Sequence, residues 1–86
     1  MQNKDILVIF GFTILLWNCR SINSNLIEFK YFINKNQPDI ICLTETWLTI
    51  TSMFKETNYN TIRKDRFDQQ IGGRVAILLN KTNSYS

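Results

Sequence analysis

The chain has 86 residues, 44% of them hydrophobic and 13% aromatic, which is enough for one small core and at most one domain. Ten Lys and Arg against seven Asp and Glu give a net charge of +3, which suits a phosphate-bearing partner without identifying one. The chain has no His, and its two cysteines, Cys19 and Cys42, each lie in an apolar run, so the composition argues against structural zinc and a disulfide scaffold.

Near the start of the chain lies an apolar stretch, Ile6 to Trp17, that only Gly11 and Thr13 interrupt. It is shorter than the roughly 20 residues of a membrane-spanning helix, and no cleavage site of small residues follows it. We therefore predict an irregular apolar extension over residues 1–12, a partial domain over residues 13–86 and no membrane association. A small exported or membrane-attached protein that uses this stretch is an alternative.

Two strands joined by a helix form the predicted centre of the fold. Residues 13–18 and 39–45 contain short continuous apolar runs, typical of strands buried on both faces. Between them, Asn25 is a candidate N-cap with Glu28 at the matching capping-box position, and Pro38 ends the helix. The expected buried face of this helix consists of Leu26, Phe29, Phe32 and Ile33. A helical connection predicts that the two strands are parallel, with a right-handed crossover.

The second half of the chain contains two further predicted strands. Residues 47–57 are interpreted as a loop with at most one helical turn, and residues 59–64 as a half-exposed strand. Residues 65–73 are charged and end in two glycines, which indicates a turn, and residues 75–79 form a buried strand. The expected fold class is α/β or α+β, with about four strands and one main helix.

Asn18 and Glu45 directly follow the apolar parts of the two central strands. In open α/β sheets ligands bind beyond the carboxyl ends of the strands. A carboxylate there can hold Mg²⁺, and an amide can hydrogen-bond a phosphate oxygen or orient a catalytic group. The structural alternative is that Asn18 opens a turn and Glu45 solvates a strand end.

The residues around these two positions resemble the endonuclease/exonuclease/phosphatase superfamily, the fold of DNase I and of apurinic-site endonucleases. The resemblance is carried by LWNCRS at residues 16–21, PDIICLTETWL at residues 38–48 and GGRVAI at residues 72–77. Three motifs are similar to the endonuclease domains of non-LTR retrotransposons: TETW at residues 44–47, RKDR at residues 63–66 and the glycine motif. The similarity extends from about Ile14 to Leu79.

The resemblance implies the N-terminal portion of a two-sheet DNase I-like sandwich and a Mg²⁺-dependent enzyme that nicks DNA to prime reverse transcription. It aligns Glu45 with the metal-binding glutamate and Asn18 with the asparagine of the first active-site motif. The family completes its site with later Asp, Asn and His residues, whereas this chain has no His, so we expect a fragment that is inactive alone. Arg74 replaces the usual third glycine of the turn, and we expect it to strain the backbone.

DNA is the partner that the resemblance implies. Arg20 and a later group of arginines, Arg63, Arg66 and Arg74, could contact phosphates, although we expect ordinary surface or salt-bridge roles for them. Trp17 and Trp47 are expected to pack in the core and in a loop and not to stack on bases. An intracellular, including nuclear, location is favoured over a secreted one, and the oligomeric state is left open. The alternative functions are a small non-catalytic α/β binding or interaction module and, within the superfamily, a phosphatase-like enzyme.

Overall fold

A computed structural model describes residues 3–48, 53–64 and 74–81 of the chain. These residues form one five-stranded sheet and one main helix. The elements are β1 (Asn3–Ile9), β2 (Phe12–Asn18), a 3-10 turn (Asn23–Asn25), α1 (Leu26–Asn36), β3 (Ile40–Thr44), β4 (Tyr59–Lys64) and β5 (Val75–Asn80). The strands lie in the order β1-β2-β3-β5-β4. β2 and β3 are parallel, as the helical connection predicted, and the other neighbours are antiparallel. The α/β class is confirmed.

Helix α1 covers one face of the sheet with the side chains that its periodicity predicted. Phe29 and Ile33 are buried, and Leu26 and Phe32 pack against them at the margin of the core. The ring of Phe29 stacks on that of Trp17 from β2, with 5.8 Å between the centroids. Burial of these apolar side chains is the main force that holds the helix on the sheet.

The end of α1 is fixed by backbone and side-chain hydrogen bonds. Gln37 adopts the left-handed conformation, and its N–H donates to the carbonyl of Ile33 over 2.8 Å, a common way to end a helix. Pro38 follows and is buried. Its carbonyl accepts a hydrogen bond of 2.6 Å from the hydroxyl of Tyr59 in β4 and one of 3.4 Å from the side-chain amide of Asn80 in β5. The helix is thereby joined to the far edge of the sheet.

The central strands are buried on one face only, so the prediction of burial on both faces is wrong. Towards α1, Leu15 and Ile41 are fully buried. On the opposite face Leu16 is 37% exposed and Ile77, in the same row across the sheet but separated from it by Cys42, is 40% exposed. The residues that define this open face are Leu7, Ile9, Phe12, Leu16, Ile62, Val75 and Ile77. A continuous apolar run therefore indicates that both faces of the strand are apolar. The described residues cover only the face towards α1.

The N-terminal stretch forms a strand where we predicted an irregular extension. β1 pairs with β2 along its whole length, from Asn3 opposite Asn18 to Ile9 opposite Phe12. The connection is residues 10–11, Phe-Gly, with φ of 49° and 84°. Positive φ at both positions is what a tight type I′ hairpin turn requires. Phenylalanine is not a usual residue there, which is why the sequence did not indicate the turn.

Lys4 attaches β1 to the rest of the core. Its ammonium group forms an ion pair with Glu28 of α1 and lies over the ring of Trp17, 4.7 Å from the centroid. Such a cation-π contact adds about 0.5–1 kcal/mol at a partly exposed site. Within the described ranges, no helix is both long and apolar enough to cross a membrane.

Candidate functional site

Asn18 and Glu45 lie at the same edge of the sheet. Asn18 is the last residue of β2, its register partner in β3 is Thr44, and Glu45 follows Thr44 directly. Because β2 and β3 are parallel, both residues stand at the carboxyl ends of neighbouring strands, where ligands bind in open α/β sheets. The structure thus brings the two predicted site residues to one place.

The loops that follow β2 and β3 are hydrogen-bonded to each other. The backbone bonds are Cys19 N–H to Thr44 O (3.1 Å), Ser21 N–H to Glu45 O (2.9 Å) and Ile22 N–H to Thr46 O (3.0 Å). Thr46 N–H donates in turn to the carbonyl of Arg74, just before β5, over 3.0 Å. The pairing of the strands therefore continues into the loops and fixes the backbone at Glu45 from both sides.

Both loops hold residues in a strained backbone conformation. Of the six non-glycine residues with positive φ in the described ranges, four belong to these two loops. They are Arg20 (46°), Ser21 (79°), Glu45 (52°) and Trp47 (58°). The left-handed region costs a non-glycine residue about 1–2 kcal/mol, and the strain persists only where the surroundings enforce it. Such clusters are frequent at functional sites, which supports this edge of the sheet as the candidate active site.

Asn18 contributes a buried acceptor to this edge. Its Oδ1 is shielded from solvent and has no hydrogen-bond partner among the described residues. A buried acceptor without a partner costs about 1–3 kcal/mol, so the position suits a donor or cation supplied from elsewhere. An amide oxygen and the carboxylate of Glu45 are hard ligands that fit Mg²⁺, which also keeps water and phosphate oxygens. The described ranges contain no group of three or more His, Cys, Asp or Glu that could hold a metal.

Cys19 lies beneath the site as a neutral thiol. Its Sγ donates to the carbonyl of Thr44 over 3.3 Å and, more weakly, to that of Glu45 over 3.7 Å. The pKa of the thiol is raised to about 11, mainly by burial; a backbone hydrogen bond lowers it, and the nearby Glu45 carboxylate makes a smaller contribution that raises it. The prediction of a small buried side chain is confirmed for Cys19. Cys42 is only half-buried, and partial burial raises its pKa too.

Asn25 does not make the capping bond that its position predicted. It is the residue before α1, but its side chain makes no hydrogen bond to the helix N-terminus. Its Nδ2 instead donates to the carbonyls of Cys19 and Ser21, both over 3.0 Å. Sequence reasoning missed Asn25, Cys19 and Ser21 as supports of the site, because their partners are carbonyls brought near only by folding.

The predicted DNA-contacting arginines have different outcomes. Arg20 is exposed two residues after Asn18, whereas Arg66 lies outside the described residues, as does the glycine turn. Of the two roles expected for Arg74, a surface role is wrong, because the side chain is 1% exposed; the salt-bridge role stays a prediction. Arg74 is also absent from the residues with positive φ, so the strain expected at this position is not found.

The two tryptophans differ in burial, as predicted. Trp17 belongs to the core at 1% exposure, and Trp47 is 36% exposed in the loop after Glu45. Residues 47–48 and 53–57, the described parts of the predicted loop, contain no strand or helix.

The model of the Endonuclease/Exonuclease/phosphatase family matches residues 15–86. The match begins within β2 and includes both Asn18 and Glu45. The mixed sheet with a helix on one face is consistent with part of a DNase I-like sandwich. Comparison with curated proteins and with solved structures gave no match.

Proposed function

Because the chain belongs to the endonuclease/exonuclease/phosphatase family, we propose that it forms the first part of a Mg²⁺-dependent endonuclease domain of the non-LTR retrotransposon type. The proposed substrate is a DNA phosphodiester bond, and the nick primes reverse transcription of the element. The family itself supports a nuclease or phosphatase type of domain. Two motifs favour the nuclease branch of the family: TETW at residues 44–47 and GGRVAI at residues 72–77.

The observation that carries the proposal is the placement of Asn18 and Glu45 together at the carboxyl ends of two parallel strands. Glu45 itself has a strained backbone conformation, and the Asn18 side-chain oxygen is buried without a described partner. A purely structural strand end would have no reason to keep either feature, since each lowers stability by about 1 kcal/mol or more.

Each residue has a proposed role. Glu45 holds the metal, and Asn18 orients the phosphate or a catalytic group through its amide. When bound, Mg²⁺ supplies charge stabilisation on the phosphate and on the leaving oxygen and activates the attacking water. Arg20, exposed two residues after Asn18, contacts a DNA phosphate, and Arg66, two residues after β4 in the sequence, contacts another.

We further propose that the 86 residues do not cleave DNA by themselves. The chain has no His, whereas the resemblance implies a catalytic site in which a His acts on the scissile phosphate. Nicking of supercoiled plasmid by the purified chain in Mg²⁺ should therefore stay at background. Nicking that Glu45→Ala abolishes would overturn this part and would establish the chain as a nuclease.

Magnesium binding tests the site without requiring activity. In a titration followed by amide NMR, Mg²⁺ should shift the resonances of Asn18 and Glu45, and Glu45→Gln should remove the shifts. Glu28→Gln is the matched control, because this carboxylate lies on α1 and pairs with Lys4. Equal shifts in the Glu45→Gln chain would refute the metal site and would favour the alternative of a non-catalytic α/β module.

A further inference from the structure

The side chain of Asn25 bridges two carbonyls on either side of a strained residue. Nδ2 of Asn25 donates to the carbonyls of Cys19 and Ser21, with both distances 3.0 Å. Arg20, between them, has φ of 46°, and Ser21 itself has φ of 79°. Two carbonyls held against one amide group restrict the peptide units around Arg20, so the bridge supports a loop conformation that non-glycine residues disfavour.

The same loop reaches Glu45 by a second hydrogen bond. Ser21 accepts from Asn25 through its carbonyl and donates through its N–H to the carbonyl of Glu45 over 2.9 Å. Glu45 is itself left-handed, with φ of 52°. A continuous path of two hydrogen bonds therefore runs from the start of α1 to the backbone of the candidate metal ligand.

The chain contains a second route to the same backbone. The Cys19 thiol donates to the carbonyl of Thr44 over 3.3 Å and lies 3.7 Å from that of Glu45. Thiols are weak donors. The amide bridge of Asn25 is consequently the stronger of the two side-chain supports.

We propose that Asn25 is a positioning residue, which holds the loop after β2 so that Ser21 fixes the backbone of Glu45 in the conformation that binds the metal. The inference rests on the proposed function, because it needs Glu45 as the ligand. Helix capping does not explain the geometry, since the Asn25 side chain makes no hydrogen bond to the N-terminus of α1.

The test replaces Asn25 in the full chain and uses Asn36 as a matched control. Asn25→Ser keeps a good N-cap residue but replaces the two amide hydrogens by one hydroxyl hydrogen on a shorter side chain, so it cannot donate to both carbonyls. Asn36→Ser removes an amide of the same kind, which donates to the Phe32 carbonyl over 3.0 Å at the far end of α1. Thermal melts of both chains show whether either change affects folding generally.

Two readouts distinguish positioning from simple stability. Hydrogen exchange at the amides of Ser21 and Ile22 should accelerate about fivefold or more in Asn25→Ser and stay unchanged in Asn36→Ser. Tb³⁺ alone, with luminescence sensitised by Trp17 and Trp47, should bind the Asn25→Ser chain about fivefold more weakly, and Glu45→Gln should abolish binding.

The outcomes separate the inference from the proposed function. Unchanged exchange at Ser21 and Ile22 would refute the bridge, and faster exchange with unchanged Tb³⁺ affinity would refute its role in positioning Glu45. If the unaltered chain does not bind Tb³⁺, or if Glu45→Gln binds it as tightly as the unaltered chain, the proposed metal site fails. The exchange rates then decide by themselves whether Asn25 holds the loop.

Discussion

Replacing Glu45 by glycine should stabilise the fold relative to alanine while it removes the metal ligand. Glu45 has φ of 52°, where a residue with a Cβ carries about 1–2 kcal/mol of strain. Alanine keeps that strain, whereas glycine adopts the conformation freely at an entropic cost of about 0.5–1 kcal/mol. The difference leaves Glu45→Gly more stable than Glu45→Ala by about 0.5–1 kcal/mol, and 1 kcal/mol corresponds to about 4–8 °C in the melting temperature of a domain of this size.

The preceding residue provides the control. Thr44 lies within β3 and is not among the residues with positive φ. Glycine there should be less stable than alanine by about 0.5–1 kcal/mol, so the sign of the difference reverses between neighbouring positions. Urea unfolding followed by circular dichroism measures all four variants. A Glu45→Gly chain less stable than Glu45→Ala would refute the reasoning that the surrounding hydrogen bonds enforce strain at this position.

Three further predictions concern the core, the open face and the buried thiol. Tyr59→Phe removes the buried hydroxyl that donates to the Pro38 carbonyl and should lower the free energy of unfolding by about 1–2 kcal/mol in urea titrations; an unchanged midpoint would contradict this. Leu16→Lys, on the open face, should reduce binding of a hydrophobic dye with little change in the melting temperature, whereas Leu15→Lys on the buried face should abolish cooperative unfolding. Burial raises the pKa of the Cys19 thiol from 9.0 to about 11, so the unfolded chain loses this proton first and stability should fall between pH 9 and pH 11. That fall should be smaller in Cys19→Ala, and an identical pH profile would refute the assignment.

Local chemistry made the order of the elements predictable. The periodic apolar residues of α1 and the proline after it determined the helix, and short β-branched runs located β2, β3, β4 and β5 to within a residue or two. The helical connection determined that β2 and β3 are parallel, and this placed Asn18 and Glu45 at one edge. These features were accessible because each depends on neighbours within a few turns of the chain.

Strand pairing and side-chain burial that depend on distant segments could not be predicted in the same way. β1 was missed because its turn uses Phe10, and the exposure of Leu16 depends on which layers cover the sheet. Arg74 was expected at the surface or in a salt bridge, and the fold buries it. The type of a residue determines how much free energy its burial costs. Whether hydrogen bonds and packing offset that cost depends on the residues that the fold places around it.

The sequence by itself determined the fold class, the helix, the strands from β2 onward and the placement of Asn18 and Glu45 at the carboxyl ends of the parallel pair. Tertiary structure alone decided how those residues are held. The left-handed backbone at Glu45 and the bridge from Asn25 to two carbonyls depend on hydrogen bonds between segments that are distant in the chain. Amides and carbonyls are present in every residue, so the sequence contains no mark of which ones will meet, and their pairing is established only when β2, β3 and α1 pack together.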